Sequence, residues 1–381
     1  MKRVYWRPKN VSRTALLLIS AFAIGGLTLV ESLPVMNKQP HIKEKSDAAH
    51  LAKEAFDVIG VARANSGTKI NIDVDPTSSG LLGLPTSSVT SLPGNLADKQ
   101  VTVNPNFAAA IVQMLKDAGV QKNDYVAVGV SGSFPAFNIC TYAALETLGA
   151  RPIVIGSGAS SSWGANVPEL LWLDMERILN ERKVFKTRAV AASVGGEADR
   201  GLSFVQEGID AIQSSIERNG LTLLNTKKFE DILEERMEIY RKEAGDQPIK
   251  AYVNVGGGMA SVGRTAGKEA FKSGLNKQLP AAAGDQDGIM HRFARDGVPV
   301  IHLVKVRSLA EKYGFPEGFE EMPKIGEGKV YASPDYNRYL AAAVLLIELC
   351  MLFLFIRSDI GFRLLRPRAK RSDQAAPEPM V

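Results

Sequence analysis

Short, continuous apolar segments alternate with helix-like segments through the middle of the chain. The apolar segments lie at 125–130, 152–155, 189–194, 249–255 and 298–304. Helical patterns, several opened by proline or asparagine and closed by glycine, lie at 105–118, 135–148, 168–181 and 201–219. Strands that are apolar throughout are buried on both faces, as in a parallel sheet covered by helices. The sequence therefore predicts a three-layer α/β fold, with a mostly parallel sheet and helices on both faces.

Loops rich in glycine and serine follow four of the predicted strands, at 131–133, 156–164, 195–201 and 256–263. In a parallel sheet these loops meet at the carboxyl edge, where such folds bind ligands. Glycine permits close backbone approach, and hydroxyl and N–H donors suit a carboxylate, a phosphate or a sugar. Each loop alone is an ordinary βα turn, but four together predict a binding cleft. The candidate ligand-binding residues are Ser131, Gly132, Ser133, Ser160, Gly196, Gly256, Gly257, Gly258 and Ser261.

The segment Gly129-Val130-Ser131-Gly132-Ser133 is similar to a G-x-S-x-G nucleophile elbow, because it joins a predicted strand to a predicted helix. Candidate catalytic residues are Ser131, Asp287 and His291, in the chain order of a hydrolase triad. Against this reading, a serine stands where the motif has its last glycine. The pattern leaves both possibilities open, an enzyme and a binding domain without catalysis.

Metal and nucleotide motifs are not found in the sequence. The four histidines lack the spacing of zinc ligands, and the chain has no G-x-x-x-x-G-K-[ST] or complete G-x-G-x-x-G. We therefore expect no metal and no cofactor.

Two apolar runs stand near the ends of the chain, at 14–30 and 340–356. The first run would span about 25 Å as a helix, the lower limit for crossing hydrocarbon. It reads either as a cleaved signal peptide or as a retained anchor, and the following segment offers no A-x-A cleavage site, which favours the anchor. The second run carries one acid, Glu348, whose burial in a bilayer indicates either contact with a membrane partner, which we expect, or a neutral acid tolerated near lipid. Alternatively, the run at 340–356 is a buried amphipathic helix of the α/β domain.

Basic residues flank these runs on their outer sides, so the positive-inside rule places both termini in the cytoplasm. The predicted organisation is a cytoplasmic tail (1–13), a transmembrane helix (14–30), a connector and irregular strap (31–103), an α/β domain (104–335), a second transmembrane helix (340–356) and a cytoplasmic tail (357–381). Residues 32–338 would be extracytoplasmic, at the cytoplasmic membrane. The net charge of +5 comes from these tails, which leaves the body mildly acidic and argues against a nucleic-acid partner.

Several segments resemble a known family. NPNFAAAIVQML (104–115), VGVSGSFPAFN (128–138), SSWGANVPELLWLDMERIL (161–179), AYVNVGGGMASVG (251–263) and GVPVIHL (297–303) are similar to the bacterial poly-γ-glutamate system protein family. The resemblance covers most of 100–335 and both apolar runs. It implies a membrane protein of the machinery that makes and exports poly-γ-glutamate, with other membrane subunits as partners. It carries no catalytic residue assignment.

Three roles follow from this resemblance together with the donor-rich cleft. The first is an accessory protein that binds or guides the anionic polymer, which carries one free carboxylate per residue. The second is a hydrolase or transferase acting on the polymer through a Ser131-type nucleophile. The third is a purely structural scaffold of the synthase complex. We expect the first.

Overall fold

The structure is a computed structural model that describes residues 13–224, 226, 228–263 and 269–357. The basic tails predicted at 1–13 and 357–381 lie almost wholly outside these residues. The chain divides into two compact units, one formed by Lys38–Ser333 and the other by the two terminal segments. The first unit thus includes most of the segment 31–103, for which the sequence predicts a connector and strap.

Twelve helices and eleven strands are named here for the described residues. The helices are α1 (Arg13–Ser32), α2 (Ile42–Ala64), α3 (Leu96–Thr102), α4 (Asn106–Asp117), α5 (Pro135–Leu148), α6 (Trp172–Glu181), α7 (Gln206–Arg218), α8 (Phe229–Ala244), α9 (Met259–Val262), α10 (Ile289–Arg295), α11 (Val306–Tyr313) and α12 (Arg338–Arg357). The strands are β1 (Val35–Lys38), β2 (Tyr125–Gly129), β3 (Arg151–Ser157), β4 (Asn166–Val167), β5 (Leu170–Leu171), β6 (Ala189–Ser193), β7 (Thr222–Leu224), β8 (Ile249–Val255), β9 (Gly274–Asn276), β10 (Val300–Leu303) and β11 (Ala332–Asp335).

A seven-stranded sheet has the order β7-β6-β3-β2-β8-β10-β9. Its strands are parallel except β9, which runs antiparallel to β10. The α/β fold with a mostly parallel sheet is therefore confirmed. Two further pairs, β1 with β11 and β4 with β5, form small two-stranded sheets.

Successive residues of the central strands enter two separate apolar cores. In β2, Val126 and Val128 belong to one core, whereas Ala127 between them belongs to the other. Val253 and Tyr252 of the neighbouring β8 divide in the same way. The side-chain period of a strand is two, so an apolar run without polar positions requires cover on both faces. This is why the alternation of apolar runs and helices predicted the fold.

The segment before the sheet is an integral part of the Lys38–Ser333 unit. Helix α2 buries Phe56 and Ile59 completely, and its Lys45 donates a hydrogen bond to the carbonyl of Val330 at 2.8 Å. Residues 76–94, a stretch rich in proline, serine, threonine and glycine that is called the strap below, are packed: Leu81, Leu82 and Val89 are buried. The helix predicted from 168 begins only at Trp172, because β4 and β5 form a short hairpin before it.

Helices α1 and α12 belong to the terminal unit. A Cβ atom on Gly26 would lie 2.5 Å from Cγ1 of Val344, so glycine is needed for the close approach of the two helices. Large apolar side chains of both helices are exposed, among them Leu17, Leu27, Leu346 and Leu354. Among the described residues, none of the helices combines the length and the apolar character that a membrane crossing requires.

Candidate functional site

The sheet has a topological switch point between β2 and β8. From β2 the chain proceeds outward through β3, β6 and β7, and then returns to place β8 on the other side of β2. The connections that leave β2 and β8 therefore diverge, and a crevice opens between them at the carboxyl ends of the strands. Open α/β sheets bind their ligands at this position.

A cavity of about 520 Å³ lies at this edge. Three of the predicted loops contribute to its wall through Ser131, Ser133, Gly196, Gly257 and Gly258, and the loop after β3 contributes Ser157, Ala159 and Ser161. A volume of this size is in the range of small-molecule sites. The four loops that the sequence singled out thus meet around one cavity.

The strap at 76–94 supplies a further wall of the cavity, through Ser91, Leu92, Pro93 and Gly94. It is held by backbone hydrogen bonds to the loop after β3. The N–H of Ser91 donates to the carbonyl of Ser160 at 2.7 Å, and the N–H of Ser162 donates to Leu92 at 3.0 Å. The strap is therefore both a packed element and part of the site.

Lys99 contributes an amine to the wall of this cavity. It comes from α3, whose first turn is capped by the side chain of Asn95, and its side chain is only 2% exposed. Its Nζ donates to the carbonyl oxygen of Ser133 and lies 2.7 Å from Oγ of Ser161. It also lies 3.8 Å from the ring centroid of Phe134. Burial lowers the pKa of Lys99 to about 7, so the amine changes its charge near neutral pH.

Most acids of the cavity are already paired. Asp98 lies 3.0 Å from Arg307, and Asp199 lies 2.6 Å from Arg236. Glu197 is exposed at the wall. Within the part of the chain that the structure describes, Lys99 forms no ion pair. Its charge is therefore available to a ligand.

Asp199 is held in a demanding backbone conformation. Its φ is +60° and that of Ala198 is +51°, values that residues other than glycine rarely adopt. The carboxylate of Asp199 accepts hydrogen bonds from Ser193 at 2.8 Å and from Arg236 at 2.6 Å, both well buried. This buried network fixes the loop after β6 against the cavity.

The serines of the first loop mainly connect loops to each other. Oγ of Ser133 accepts from the N–H of Ser161 at 3.1 Å, and Oγ of Ser131 accepts from the N–H of Ser133 at 3.3 Å. Ser160 is completely buried and donates to the carbonyl of Gly132 at 2.9 Å. Of these residues, Ser131 and Ser133 line the cavity, whereas Gly132 and Ser160 hold the two loops together.

The glycine loop after β8 (residues 256–258) faces the serine loop after β2 (residues 131–133). A Cβ atom on Gly256 would lie 3.4 Å from Oγ of Ser131, and Gly256 has a φ of +90° that favours glycine. Gly257 and Gly258 line the cavity itself. Ser261 lies deeper, where its hydroxyl is hydrogen-bonded to that of Tyr252.

The structure does not bring Ser131 together with Asp287 and His291. Asp287 forms ion pairs with Arg292 at 2.9 Å and Arg295 at 3.4 Å, and neither it nor His291 is among the described residues that line the cavity. His291 is buried with its ring 5.0 Å from that of Phe271. Burial, together with Arg295, lowers its pKa. The triad reading of the sequence therefore has no support from this geometry.

Glu348 faces α1 of its own chain. A Cβ atom on Gly26 would lie 3.6 Å from Oε1 of Glu348. The expected contact of Glu348 with a separate membrane partner stays a prediction. For metals, the described residues contain no cluster of three or more His, Cys, Asp or Glu side chains that could hold an ion.

The sequence does not identify two of the residues that line the cavity, Lys99 and Ser161. Lys99 lies in the segment assigned to a connector, and no motif surrounds it. Ser161 stands beside the predicted Ser160, and the sequence gives no means of deciding which of two adjacent serines faces the cavity.

Fold and site together define a doubly wound α/β domain whose switch-point cleft is lined by hydroxyls, glycine backbone and one buried lysine. No protein-family model, curated protein or solved structure matches the chain.

Proposed function

We propose that the α/β domain binds an anionic polymer of the poly-γ-glutamate type in the switch-point cleft, as a membrane-anchored accessory protein of its synthesis or export. The observation that carries the proposal is Lys99, a buried amine without an acidic partner in the described chain, at the wall of a cavity rich in donors. A carboxylate that enters the cavity would meet this charge together with the hydroxyls of Ser133 and Ser161. Hydrogen bonds to charged groups are stronger than those between neutral groups.

Several segments of the chain line the cavity. The cavity is lined by the strap residues Leu92 and Gly94, by Ser131 and Ser133, and by Gly257 and Gly258. A γ-linked glutamate chain carries one free carboxylate per residue, so one carboxylate at Lys99 would leave its neighbours near the glycine loop. The glycines allow close approach of the chain because they present no side chain.

The same proposal places α1 and α12 in the cytoplasmic membrane, with residues 32–338 outside. The charge-free run at 14–30, the basic residues on the outer side of each run and the exposed apolar side chains of both helices support it. No described helix meets the requirement of length and apolarity for a crossing.

Calorimetric titration of the full chain in detergent with a γ-linked glutamate oligomer tests the binding. Replacement of Lys99 by methionine removes the charge, and we expect the affinity to fall by roughly ten- to hundredfold, the value of one hydrogen bond to a charged group. Lys242→Met is the matched control, because Lys242 is exposed on α8, away from the cavity lining. Equal affinity in wild type and Lys99→Met, or no binding by the wild type, would contradict the proposal.

A hydrolase or transferase is the second candidate function. The observation that favours an enzyme is the contact between Lys99 and Ser161. The nucleophile would then be Ser161 with a lysine as its base, and not Ser131 with a histidine.

A further inference from the structure

The contact between Lys99 and Ser161 has a chemical meaning beyond binding. Nζ of Lys99 lies 2.7 Å from Oγ of Ser161, and its other acceptor is the backbone carbonyl of Ser133. A neutral amine has two N–H bonds and one lone pair. It can therefore donate to Ser133 and at the same time accept the hydroxyl proton of Ser161.

Burial of Lys99 favours the neutral amine, whereas Asp98 and the ring of Phe134 favour the charged form. The side chain is 2% exposed, and among the described residues it forms no ion pair that would hold its proton. Burial lowers its pKa to about 7, so a large part of the population has a free lone pair at neutral pH. A lysine in this state can act as the general base of a serine nucleophile, a known alternative to histidine.

Ser161 is also held in place for reaction. Its N–H donates to Oγ of Ser133 at 3.1 Å, and the adjacent Ser160 is tied to the carbonyl of Gly132. On the other side, the N–H of Ser162 is bound by the strap at Leu92. Ser161 itself is only half-buried and lines the cavity, so a ligand can reach its hydroxyl.

We propose that Ser161 and Lys99 form a nucleophile and base pair that carries out acyl transfer on an amide or ester carbonyl bound in the cleft. Oγ of Ser161 attacks the carbonyl carbon and forms a C–O bond, while its proton passes to Nζ of Lys99. The bond from that carbon to the leaving amine or alcohol then breaks, and Lys99 returns the proton to the leaving group. Water, activated by the same lysine, hydrolyses the resulting ester, or a second amine takes the acyl group.

Only the identity of the acyl group rests on the proposed function, where it would be a γ-glutamyl group. Lys99 would bind a carboxylate as the charged amine and would act as a base as the neutral amine. These two roles compete, because a carboxylate beside the amine keeps it protonated. Lys99→Arg separates them: arginine keeps the charge for binding but does not lose its proton in this pH range.

Reaction with a biotinylated fluorophosphonate tests the pair in the full chain in detergent. The probe places phosphorus on an activated serine with loss of fluoride, and peptide mass spectrometry identifies the labelled residue. We expect labelling at Ser161, at a rate that rises as the pH increases through about 7. Lys99→Arg should reduce the rate at least a hundredfold, and Ser161→Ala should abolish labelling of that peptide. Ser214→Ala, an exposed serine on α7, is the matched control and should label like the wild type.

The outcomes distinguish this inference from the proposed function. Labelling of Ser161 together with oligomer binding by the wild type supports both proposals, and a circular dichroism spectrum of Ser161→Ala that equals that of the wild type shows that the variant is folded. Labelling of wild-type Ser161 without any oligomer binding supports the pair of Ser161 and Lys99. The same result contradicts the proposed binding of a polymer of the poly-γ-glutamate type. Absence of label on Ser161 of the wild type, or a labelling rate that does not change from pH 6 to 9, contradicts the roles of Ser161 as nucleophile and Lys99 as base. This result needs no variant.

Discussion

Nζ of Lys99 lies 2.7 Å from Oγ of Ser161, although 62 residues separate them in the chain. The lysine comes from α3, before the sheet begins, and the serine comes from the loop after β3. The strap between residues 76 and 94 makes this meeting possible, because it crosses the same loop before the chain enters α3. This part of the cavity wall thus depends on a segment outside the alternating strands and helices.

Two glycines of the loop after β8 should respond differently to alanine. Gly256 has a φ of +90°, so Gly256→Ala should lower the free energy of unfolding by about 1–2 kcal/mol through backbone strain. Gly258 has a φ of −58° and open space around the position of a Cβ atom. Gly258→Ala should therefore leave stability nearly unchanged. Urea unfolding of both variants checks this, and equal stability losses would contradict the geometry.

The buried pair of Asp199 and Arg236 should be costly to break. Asp199→Asn removes the charge beside a guanidinium that is itself buried, and we expect a loss of about 3–5 kcal/mol in unfolding free energy. The matched control is Asp57→Asn, whose carboxylate pairs with Lys53 at the surface and should contribute little. Thermal unfolding followed by circular dichroism compares the two. Similar melting temperatures would mean that the pair does not stabilise the loop.

Glu176 should make stability depend on pH. It is buried beside Tyr142 and accepts from the N–H of Ala189 at 3.0 Å, and burial raises its pKa to about 7. Between about pH 4.5 and 7 the folded state keeps a proton that the unfolded chain has lost. The contribution of Glu176 to the free energy of unfolding is therefore fully present below about pH 4.5. It is lost as the pH rises to 7, a change of about 3 kcal/mol.

Glu176→Gln should remove this part of the pH dependence. Glu238→Gln, an exposed acid on α8, should keep it. The measurement is urea unfolding at several pH values, with each variant subtracted from the wild type. A difference between Glu176→Gln and the wild type that stays constant from pH 4.5 to 7 would show that Glu176 titrates normally.

The proposed topology predicts which cysteines an impermeant maleimide reaches in spheroplasts. In a chain with Cys140 and Cys350 replaced by alanine, Ser214→Cys on the exposed side of α7 should be labelled without lysis. Ser372→Cys should be labelled only after lysis. The reverse pattern, or labelling of neither before lysis, would contradict the placement of residues 32–338 outside the membrane.

The five apolar segments of the sequence correspond to β2, β3, β6, β8 and β10, because burial on both faces leaves a mainly apolar pattern. The edge strands β7 and β9 have three residues each and partly exposed positions, so no such signature marks them. Helix α5 has its predicted bounds, since Pro135 opens it and Gly149, with a φ of +64°, closes it.

The candidate site was predictable only as an edge of the sheet. Glycine and serine after a strand indicate which loops meet there, but not which side chain faces the cavity. Ser160 and Ser161 are chemically identical in the sequence, yet one is completely buried and the other lines the cavity. The role of Lys99 depends on its burial, which is a property of the folded chain alone.

The pH dependence of γ-glutamate oligomer binding, measured by calorimetry, tests the central claim most directly. Burial lowers the pKa of Lys99 to about 7, so its charge is mostly present at pH 6 and mostly lost at pH 8.5. We predict that the affinity of the wild type falls by roughly tenfold or more between these values, with proton uptake on binding near pH 7. Lys99→Arg should bind with an affinity that hardly changes over this range. A wild-type affinity that is the same at pH 6 and pH 8.5 would contradict the account, because it would mean that Lys99 does not hold the ligand.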